Sequence, residues 1–365
     1  MNFQGKSFFM TLAAALLLGI IFPNASISTA DAAWTDTFKM KGDLRYRYES
    51  VDKEGSEDRV RHRIRARLGV TAEVTDSLSV TLQLASGSED PVSTNQSLDG
   101  FFSTKGFHLD RAYVKWKATD ALALTAGKIS NPFHCPGKSE LIWDGDLNPE
   151  GIAAQFESTS EFKVYANLSY LVVDERSSTT DDCYLYGGQL GFKIPMGGAS
   201  LNIGGGYYAY VNQEGFPAFG EDFGNTLDDE GNYTMDFTNF EGFVELNAKL
   251  GSFPFGLYGH YVVNNEADED DTGYQFGFSL GKVKDPMSWQ LQYSYKEIER
   301  DAVVGAFTDS DFIGGGTDGK GHEIQFGLGL AKHTSLGVSY FLNEIGLEGE
   351  SRDYDRLMID LVFKF

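Results

Sequence analysis

The sequence predicts an all-β fold, a closed antiparallel transmembrane β-barrel of sixteen strands with short periplasmic turns and long extracellular loops. Three observations predict it. Apolar and polar residues alternate with a period of two, short and long connections also alternate, and the last strand ends in an aromatic residue. The 18 tyrosines and 28 phenylalanines, set against only 9 prolines in 365 residues, are also typical of a chain rich in strands.

Composition argues against several classes of protein. An aromatic content of 14% is too high for a disordered acidic chain, and two cysteines cannot form a disulfide scaffold. The formal net charge of −23 argues against a nucleic-acid partner, because a nucleic-acid binder needs a basic surface.

Residues 1–32 are predicted to be a cleaved secretory signal peptide. Lys6 supplies its positive start, residues 8–22 are mostly apolar, and Ala30-Asp31-Ala32 matches a cleavage site. The barrel domain then comprises residues 33–365. No later apolar run reaches about 18 residues, so a membrane protein of this sequence has to cross the membrane with strands. A secreted or periplasmic soluble protein is the alternative.

The first two strands show the period most clearly. In residues 38–48 the apolar side chains share the even positions, and in residues 59–74 five arginines share the odd positions. Successive side chains of a strand point to opposite faces, so each segment has one apolar face and one charged face. A helix would scatter the same arginines around its circumference.

The same alternation recurs to the end of the chain. Seven tight turns and eight long polar loops provide the fifteen connections that sixteen strands require. The predicted strands are 38–48, 59–74, 78–87, 109–118, 122–130, 151–158, 162–173, 183–194, 200–212, 238–250, 255–265, 272–283, 288–298, 322–332, 336–345 and 356–365. The long loops are 49–58, 88–108, 131–150, 174–182, 213–237, 266–271, 299–321 and 346–355.

The apolar face of these strands is predicted to meet lipid. A sheet of sixteen strands has no edge only when it closes, and a barrel of that width is too wide for side chains to fill. Its polar face therefore encloses water. Phe363 and Phe365 end the last strand in the pattern of the assembly signal that the barrel-assembly machinery recognises in outer-membrane barrels. The alternative is a large secreted double-layered β protein.

The chain resembles the putative porins of Gram-negative bacteria, a family of outer-membrane channels. The resembling segments are GDLRYRYE (42–49), RHRIRARLGV (61–70), DPVSTNQ (90–96), LDRAYV (109–114), AGK (126–128) and WDGDLNPEG (143–151). The resemblance implies a passive diffusion channel for small hydrophilic solutes and ions, in contact with outer-membrane lipid and lipopolysaccharide. It defines no particular solute. By analogy of size it implies a homotrimer, and it implies no cofactor.

A basic constriction is predicted inside the barrel. In lipid each arginine near the midplane would cost about 2–4 kcal/mol, so the arginines of the first two strands must face the lumen. They are Arg45, Arg47, Arg61, Arg63, Arg65 and Arg67. Loop 131–150, expected to fold inward, offers the carboxylates Glu140, Asp144, Asp146 and Glu150. We hypothesise that the arginines on one side and the loop carboxylates on the other create a transverse electric field across the lumen. Alternatively, the arginines pair with strand carboxylates such as Asp43, Glu49 and Glu73.

Other motifs leave the function open or exclude alternatives. Cys135 and Cys183 both fall near the long-loop end, so a disulfide between them is possible but not fixed by the sequence. The histidines lack metal-ligand spacing, and Gly277-Phe278-Ser279-Leu280-Gly281 lies in a strand rather than at a nucleophile elbow. We therefore expect no metal site and no enzyme.

Two questions about the loops remain open at this stage. The acidic loop tips are either solvated or bridged to anionic lipid by divalent cations. A barrel with a plugged lumen that binds an outside partner through its loops, such as the aromatic loop 213–237, is the second functional reading.

Overall fold

The structure, a computed structural model, describes residues 37–347 and 349–365. The predicted signal peptide, residues 1–32, lies outside the described residues and stays a prediction.

Seventeen strands form one sheet. Sixteen of them are long, and β4 is a two-residue strand. The strands are β1 (Phe38–Lys53), β2 (Arg59–Glu73), β3 (Leu78–Ser86), β4 (Gln96–Ser97), β5 (Phe107–Lys117), β6 (Leu122–Lys128), β7 (Glu150–Glu157), β8 (Lys163–Asp174), β9 (Cys183–Met196), β10 (Ala199–Val211), β11 (Thr238–Leu250), β12 (Phe253–Asn264), β13 (Thr272–Gly281), β14 (Trp289–Ile298), β15 (Gly319–Ala331), β16 (Thr334–Ile345) and β17 (Arg352–Lys364).

The long strands pair antiparallel with their neighbours in the chain, and β17 pairs with β1, so the sheet closes into a barrel. Beyond the last strand, the Phe365 N–H donates to the Gly42 carbonyl at 3.0 Å and the Gly42 N–H donates to the Phe365 carbonyl at 2.9 Å. These bonds extend the seam between the two ends of the chain. The predicted closed antiparallel barrel of sixteen long strands is confirmed.

Three strands extend at least three residues further at the long-loop end than the sequence predicts. β1 continues to Lys53, β15 begins at Gly319 and β17 begins at Arg352. These extensions carry charged and polar residues, so they give no apolar alternation, although their backbones stay in the hydrogen-bonded ladder. The barrel wall therefore rises above its apolar band on this side, which is the extracellular end in the predicted orientation.

The two faces of the wall differ as the alternation requires. On the outer face Leu44 and Phe276 are 45% and 48% exposed, although both are apolar. On the inner face of the same strand as Leu44, Arg47 and Glu49 are buried. Large apolar side chains therefore face the membrane and charged side chains face the lumen.

Helical structure is limited among the described residues to two three-residue 3-10 turns, Pro136–Lys138 and Gly305–Phe307. No helix in the described part of the chain is long and apolar enough to cross a membrane.

Two extracellular loops fold into the barrel. We name them L3 (residues 129–149) and L7 (residues 299–318). The hydrophobic core lies where they meet inside the lumen, with Leu141, Ile142 and Trp143 from L3, and Val303, Val304 and Phe312 from L7. The sequence predicts the inward path of L3 but gives L7 only as a long polar loop. L7 is therefore a second loop, besides L3, that contributes to the core inside the lumen.

Candidate functional site in the barrel lumen

Seven arginines line one side of the lumen, and we call them the arginine wall. Their side chains come from three neighbouring strands that include the seam of the barrel. They are Arg45 and Arg47 of β1, Arg61, Arg63, Arg65 and Arg67 of β2, and Arg356 of β17. The six predicted arginines thus lie together on the inner face. Sequence reasoning missed Arg356, because a single arginine at a strand end belongs to no basic run.

Carboxylates on the same three strands neutralise most of this wall. Glu49 is fully buried and accepts hydrogen bonds from Arg61 Nε at 2.7 Å and Arg356 at 2.8 Å, with Arg63 at 3.4 Å. Asp43 binds Arg65 and Arg67, and Asp360 binds Arg45 and Arg47. Strand carboxylates such as Asp43 and Glu49 are therefore major partners of the arginines.

Glu73 takes no part in that pairing. It binds Lys39 instead, at 2.9 Å, near the periplasmic end of the wall where both side chains are exposed.

Both inward loops add one carboxylate to the wall. Asp146 of L3 lies 3.2 Å from Arg67 and 3.8 Å from Arg65. Asp311 of L7 lies 3.1 Å from Arg47 and 2.8 Å from Arg356. Burial alone would raise the pKa of Asp311, but the charges of Arg356 and Arg47 hold that pKa well below its usual range. Seven guanidinium groups thus face five carboxylates, which leaves an excess of two positive charges.

A cluster of carboxylates lies where L3 meets L7. Oxygens of Glu140, Asp144 and Asp309 all lie within 4.8 Å of one another, the one such group of potential metal ligands in the described residues. The Asp144 N–H donates to the Phe307 carbonyl, and the Ser310 N–H donates to Asp144 Oδ2, each at 2.9 Å. These bonds join the two loops directly.

Burial and mutual repulsion favour protons in this cluster. Burial, followed by the charge of Asp309, raises the pKa of Asp144 to about 8 and also raises the pKa of Glu140 well above its usual range. The Lys296 ammonium lies 2.8 Å from Asp309. Among the described residues Lys296 is therefore the one cation beside these carboxylates, and burial favours the protonated forms of Glu140 and Asp144.

This cluster predicts a change of ion selectivity with pH. The folded-state pKa of Asp144 lies above its ordinary value of 3.8, so the folded state binds more protons and its stability falls as pH rises towards about 8. Above that pH the cluster gains negative charge. We expect the reversal potential in a KCl gradient to shift towards cation selectivity between about pH 7 and about pH 9. D144N should remove most of the shift, and an unchanged shift in D144N would contradict this account.

The structure separates the four predicted loop carboxylates. Only Asp146 contacts the arginine wall, whereas Glu140 and Asp144 lie in the carboxylate cluster. The prediction for Glu150 is wrong. It begins β7 on the outward-facing parity, which it shares with Ile152, and it binds Lys128 at 2.9 Å. Its position at the end of the loop led to the error, because the strand starts one residue earlier than predicted.

A buried polar chain ties L3 to the opposite wall. Ser139 lies 2.9 Å from His260 Nδ1, and His260 Nε2 lies 2.9 Å from Glu241. The order of groups is that of a nucleophile, a base and an acid. However, Ser139 is 1% exposed and donates its hydroxyl proton to Gln275 at 2.7 Å. We interpret the chain as a tether that fixes L3.

Ser279, the serine of the G-x-S-x-G match, lies within β13. A nucleophile elbow needs a turn between a strand and a helix, so this serine lacks the required context.

The disulfide that the sequence allowed is not formed. Cys135 and Cys183 are both free thiols. Cys135 precedes the 3-10 turn of L3, where burial raises the pKa of its thiol to about 12. Cys183 begins β9 and is fully buried. Both cysteines lie near the long-loop end of the barrel, but Cys135 is packed within L3 and Cys183 at the start of β9.

The lumen holds a chamber on each side of the two loops. The extracellular chamber has a volume of about 620 Å³ and is lined by Arg61, Arg63 and Arg356 together with the glycines 314–316 of L7. The periplasmic chamber has a volume of about 1000 Å³ and is lined by Lys115 and Lys117. The arginine wall and L7 thus line the extracellular chamber, and residues 131–134 of L3 line the periplasmic one.

Comparison with known proteins identifies the family. The family model described as putative porin matches residues 51–242 and 234–365, which together span nearly the whole barrel. The chain belongs to the putative porin family. No curated protein matches the sequence.

Solved structures of porins share the fold of this family member. Pseudomonas putida OprB at high pH matches with a TM-score of 0.64 at 11% identity, over 91% of this chain and 95% of that chain. The trimer form of OmpT from Vibrio cholerae matches with a TM-score of 0.53 at 13% identity, over 90% and 100%. A mutant of the Rh. blastica porin matches with a TM-score of 0.53 at 12% identity, over 90% and 100%.

The putative porin is therefore a channel protein of the Gram-negative outer membrane, as the sequence predicts. Its family and fold point to a channel rather than an enzyme. The lumen described above is the part of the molecule that a solute would traverse.

Proposed function

We propose that this porin admits small hydrophilic solutes and ions by passive diffusion through a constriction with a transverse electric field. The observation that carries the proposal is the unequal charge of the two sides. The arginine wall has two guanidinium groups in excess of its carboxylates, whereas the cluster of Glu140, Asp144 and Asp309 has Lys296 as its cation. A field of this kind orients a dipolar solute before it passes.

The basic side continues towards the periplasm. Lys115 and Lys117 line the periplasmic chamber, and Arg111 of the same strand donates to Asn148 of L3 at 2.7 Å. An anion that leaves the constriction therefore meets further positive charge. This arrangement supports passage of anions along one side of the lumen and of dipolar solutes between the two sides.

The test is conductance of the purified, refolded protein in a planar bilayer under a salt gradient. Discrete steps on the order of a nanosiemens are the expected result for a water-filled channel. The reversal potential then measures whether the arginine wall or the acidic loops dominate selectivity. A folded, heat-modifiable barrel that gives no steps would overturn the proposal.

Removing two charges from the wall tests the field directly. In R63A/R65A we expect a shift of the reversal potential towards cations and a changed single-channel conductance, because two fixed cations leave the constriction. The measurement is the bilayer experiment above at low ionic strength, where screening is weakest. K39A, at the exposed periplasmic end, is the matched control and should leave both quantities unchanged. Unchanged values in the double variant would exclude a role for the wall.

We also propose a homotrimer in contact with outer-membrane lipid and lipopolysaccharide. The trimer form of the Vibrio cholerae OmpT, which has the same fold, supports the stoichiometry. The terminal residues Phe363 and Phe365 support recognition by the barrel-assembly machinery, since they end the strand that closes the barrel. Cross-linking in detergent followed by mass measurement checks the trimer.

The second candidate, a plugged barrel that binds a partner through its loops, has weaker support. Its best feature was the aromatic loop, residues 212–237 in the structure. There Tyr233 is buried, and Phe219 stacks on Phe307 of L7 with ring centroids 5.5 Å apart. These aromatic side chains pack inward and hold the loops together. They leave little apolar surface on this loop for an outside partner.

A further inference from the structure

The extracellular chamber is lined by cations that no carboxylate neutralises. Lys53 of β1 and Arg59 of β2 lie on the inner face above the arginine wall, where Arg59 is directly across from Val51 and Lys53 follows Val51 on the same face. Neither side chain forms an ion pair or a hydrogen bond within the described part of the chain. They add to the excess of two positive charges in the arginine wall.

Two arginines of the wall also have donors to spare in this chamber. Arg61 donates to Glu49 through Nε and Nη2, which leaves Nη1 without an acceptor among the side chains that the structure describes. Arg63 has a single long hydrogen bond, from Nη1 to Glu49 at 3.4 Å. A guanidinium carries five N–H donors and cannot lose its charge. The remaining donors of both arginines therefore need acceptors from water or from a solute.

Tyr354 brings a hydroxyl without a partner to the same chamber. It lies on β17, directly across from Lys53. The side chain is 5% exposed and lines the chamber, yet its hydroxyl has no hydrogen-bond partner among residues 37–347 and 349–365. Buried hydroxyl groups are normally hydrogen-bonded. The acceptor for this hydroxyl must therefore come from the chamber.

The glycines 314–316 of L7 add backbone donors beside Tyr354. Their φ angles of +93°, +106° and +95° lie in a region that other residues rarely adopt. A Cβ on Gly314 would lie 3.2 Å from the Tyr354 hydroxyl oxygen, so the glycine backbone lies close to that hydroxyl. The N–H groups of Gly314 and Gly316 have no acceptor in the part of the chain that the structure describes. Backbone N–H groups of turns bind anions in many proteins.

We propose that the extracellular chamber holds an oxyanion-binding site, which takes the phosphate or carboxylate group of a small solute as the solute enters the lumen. The cations, the tyrosine hydroxyl and the glycine N–H groups can all donate hydrogen bonds, and donors with a positive charge bind an ionised acceptor more strongly than a neutral one. The inference rests on the proposed function, because it names the chemical group of the solute that the channel would admit.

Carboxylates at the open side of the chamber do not cancel this site. Glu57, Glu221 and Asp222 line the chamber but are exposed, so solvent and salt screen their charges. Tyr354 and Arg63 are largely shielded from solvent. The chamber remains open, and a site on a diffusion path has to release its solute. We therefore expect weak, reversible binding.

The experiment titrates inorganic phosphate and, separately, acetate into the full refolded protein in detergent micelles, with chloride as the background anion. Calorimetry should show about one site per chain with a Kd on the order of 1 mM, and the anion that binds more tightly identifies the preferred group. Y354F should bind about tenfold more weakly, because it removes a hydroxyl that has no protein partner. Y210F, a similarly buried tyrosine outside this chamber, is the matched control and should bind like the unchanged protein.

A second variant removes charge rather than a hydroxyl. K53Q/R59Q should lower the affinity by about tenfold or more, whereas K282Q/K284Q, the same loss of charge in a periplasmic turn, should not. Absence of binding for both anions would overturn the proposal, and so would unchanged affinity in both Y354F and K53Q/R59Q. The bilayer experiment keeps conduction separate. A protein that binds phosphate but gives no conductance steps would contradict the proposed function alone, and one that conducts without binding would contradict this site alone.

Discussion

Replacing Glu49 with glutamine is expected to lower the free energy of unfolding by about 3–5 kcal/mol. Glu49 is fully buried, and its carboxylate binds Arg61, Arg63 and Arg356. Glutamine keeps the size of the side chain but removes its charge. Three guanidinium groups then share only the remaining carboxylates of the wall, although arginine cannot release its proton.

Equilibrium unfolding by guanidinium chloride in detergent micelles measures this change, and the heat-modifiable gel shift reports whether the barrel folds at all. E73Q is the matched control, because Glu73 has a single exposed partner, Lys39, and its loss should leave the unfolding midpoint unchanged. Equal midpoints for E49Q and the unchanged protein would show that the buried network contributes nothing to stability.

Shortening L7 is expected to raise the single-channel conductance by at least about twofold, because the loop fills lumen that ions would otherwise cross. Residues 303–316 would be replaced by a short glycine-serine linker. Val303, Val304 and Phe312 are buried inside the barrel, and Phe307 stacks on Phe219. Removing them widens the lumen beside the arginine wall.

The control deletes only Asp268 and Glu269, two exposed residues of the loop between β12 and β13, which should leave conductance unchanged. A milder variant, F312D, keeps the length of L7 but places a charge in the buried apolar cluster to which both loops contribute, so we expect larger conductance with more frequent closures. A shortened L7 that conducts like the unchanged protein would show that another segment sets the constriction.

Strand alternation made the fold predictable. Each of the sixteen predicted strands overlaps one observed strand, because the membrane and the lumen impose opposite polarity on successive side chains. The charged extracellular extensions, such as residues 49–53 of β1, were predicted as loop. In these extensions both faces of the barrel wall meet polar surroundings. The sequence there therefore shows no alternation of apolar and polar residues.

The arginines of the site were predictable, and three of their five carboxylate partners, Asp43, Glu49 and Asp146, were named from the sequence, whereas Asp360 and Asp311 were not. An arginine in a strand has to face the lumen, so Arg45 and Arg47 could be placed from one strand alone. Asp311 could not, because its contact with the wall depends on the path of L7. A signal was present, since a solvated loop has little reason to carry Val303, Val304 and Phe312.

The seam of the barrel sets how the chain can fold. Arg47 and Asp360, which lie side by side in the seam and form an ion pair at 2.7 Å, are 313 positions apart in the sequence. A contact between residues so far apart in the sequence forms slowly, because nearly the whole chain must be ordered first. A chain truncated before β17 would keep two open edges and unpaired arginines. For this porin, a chain that lacks the final strand therefore cannot close the barrel.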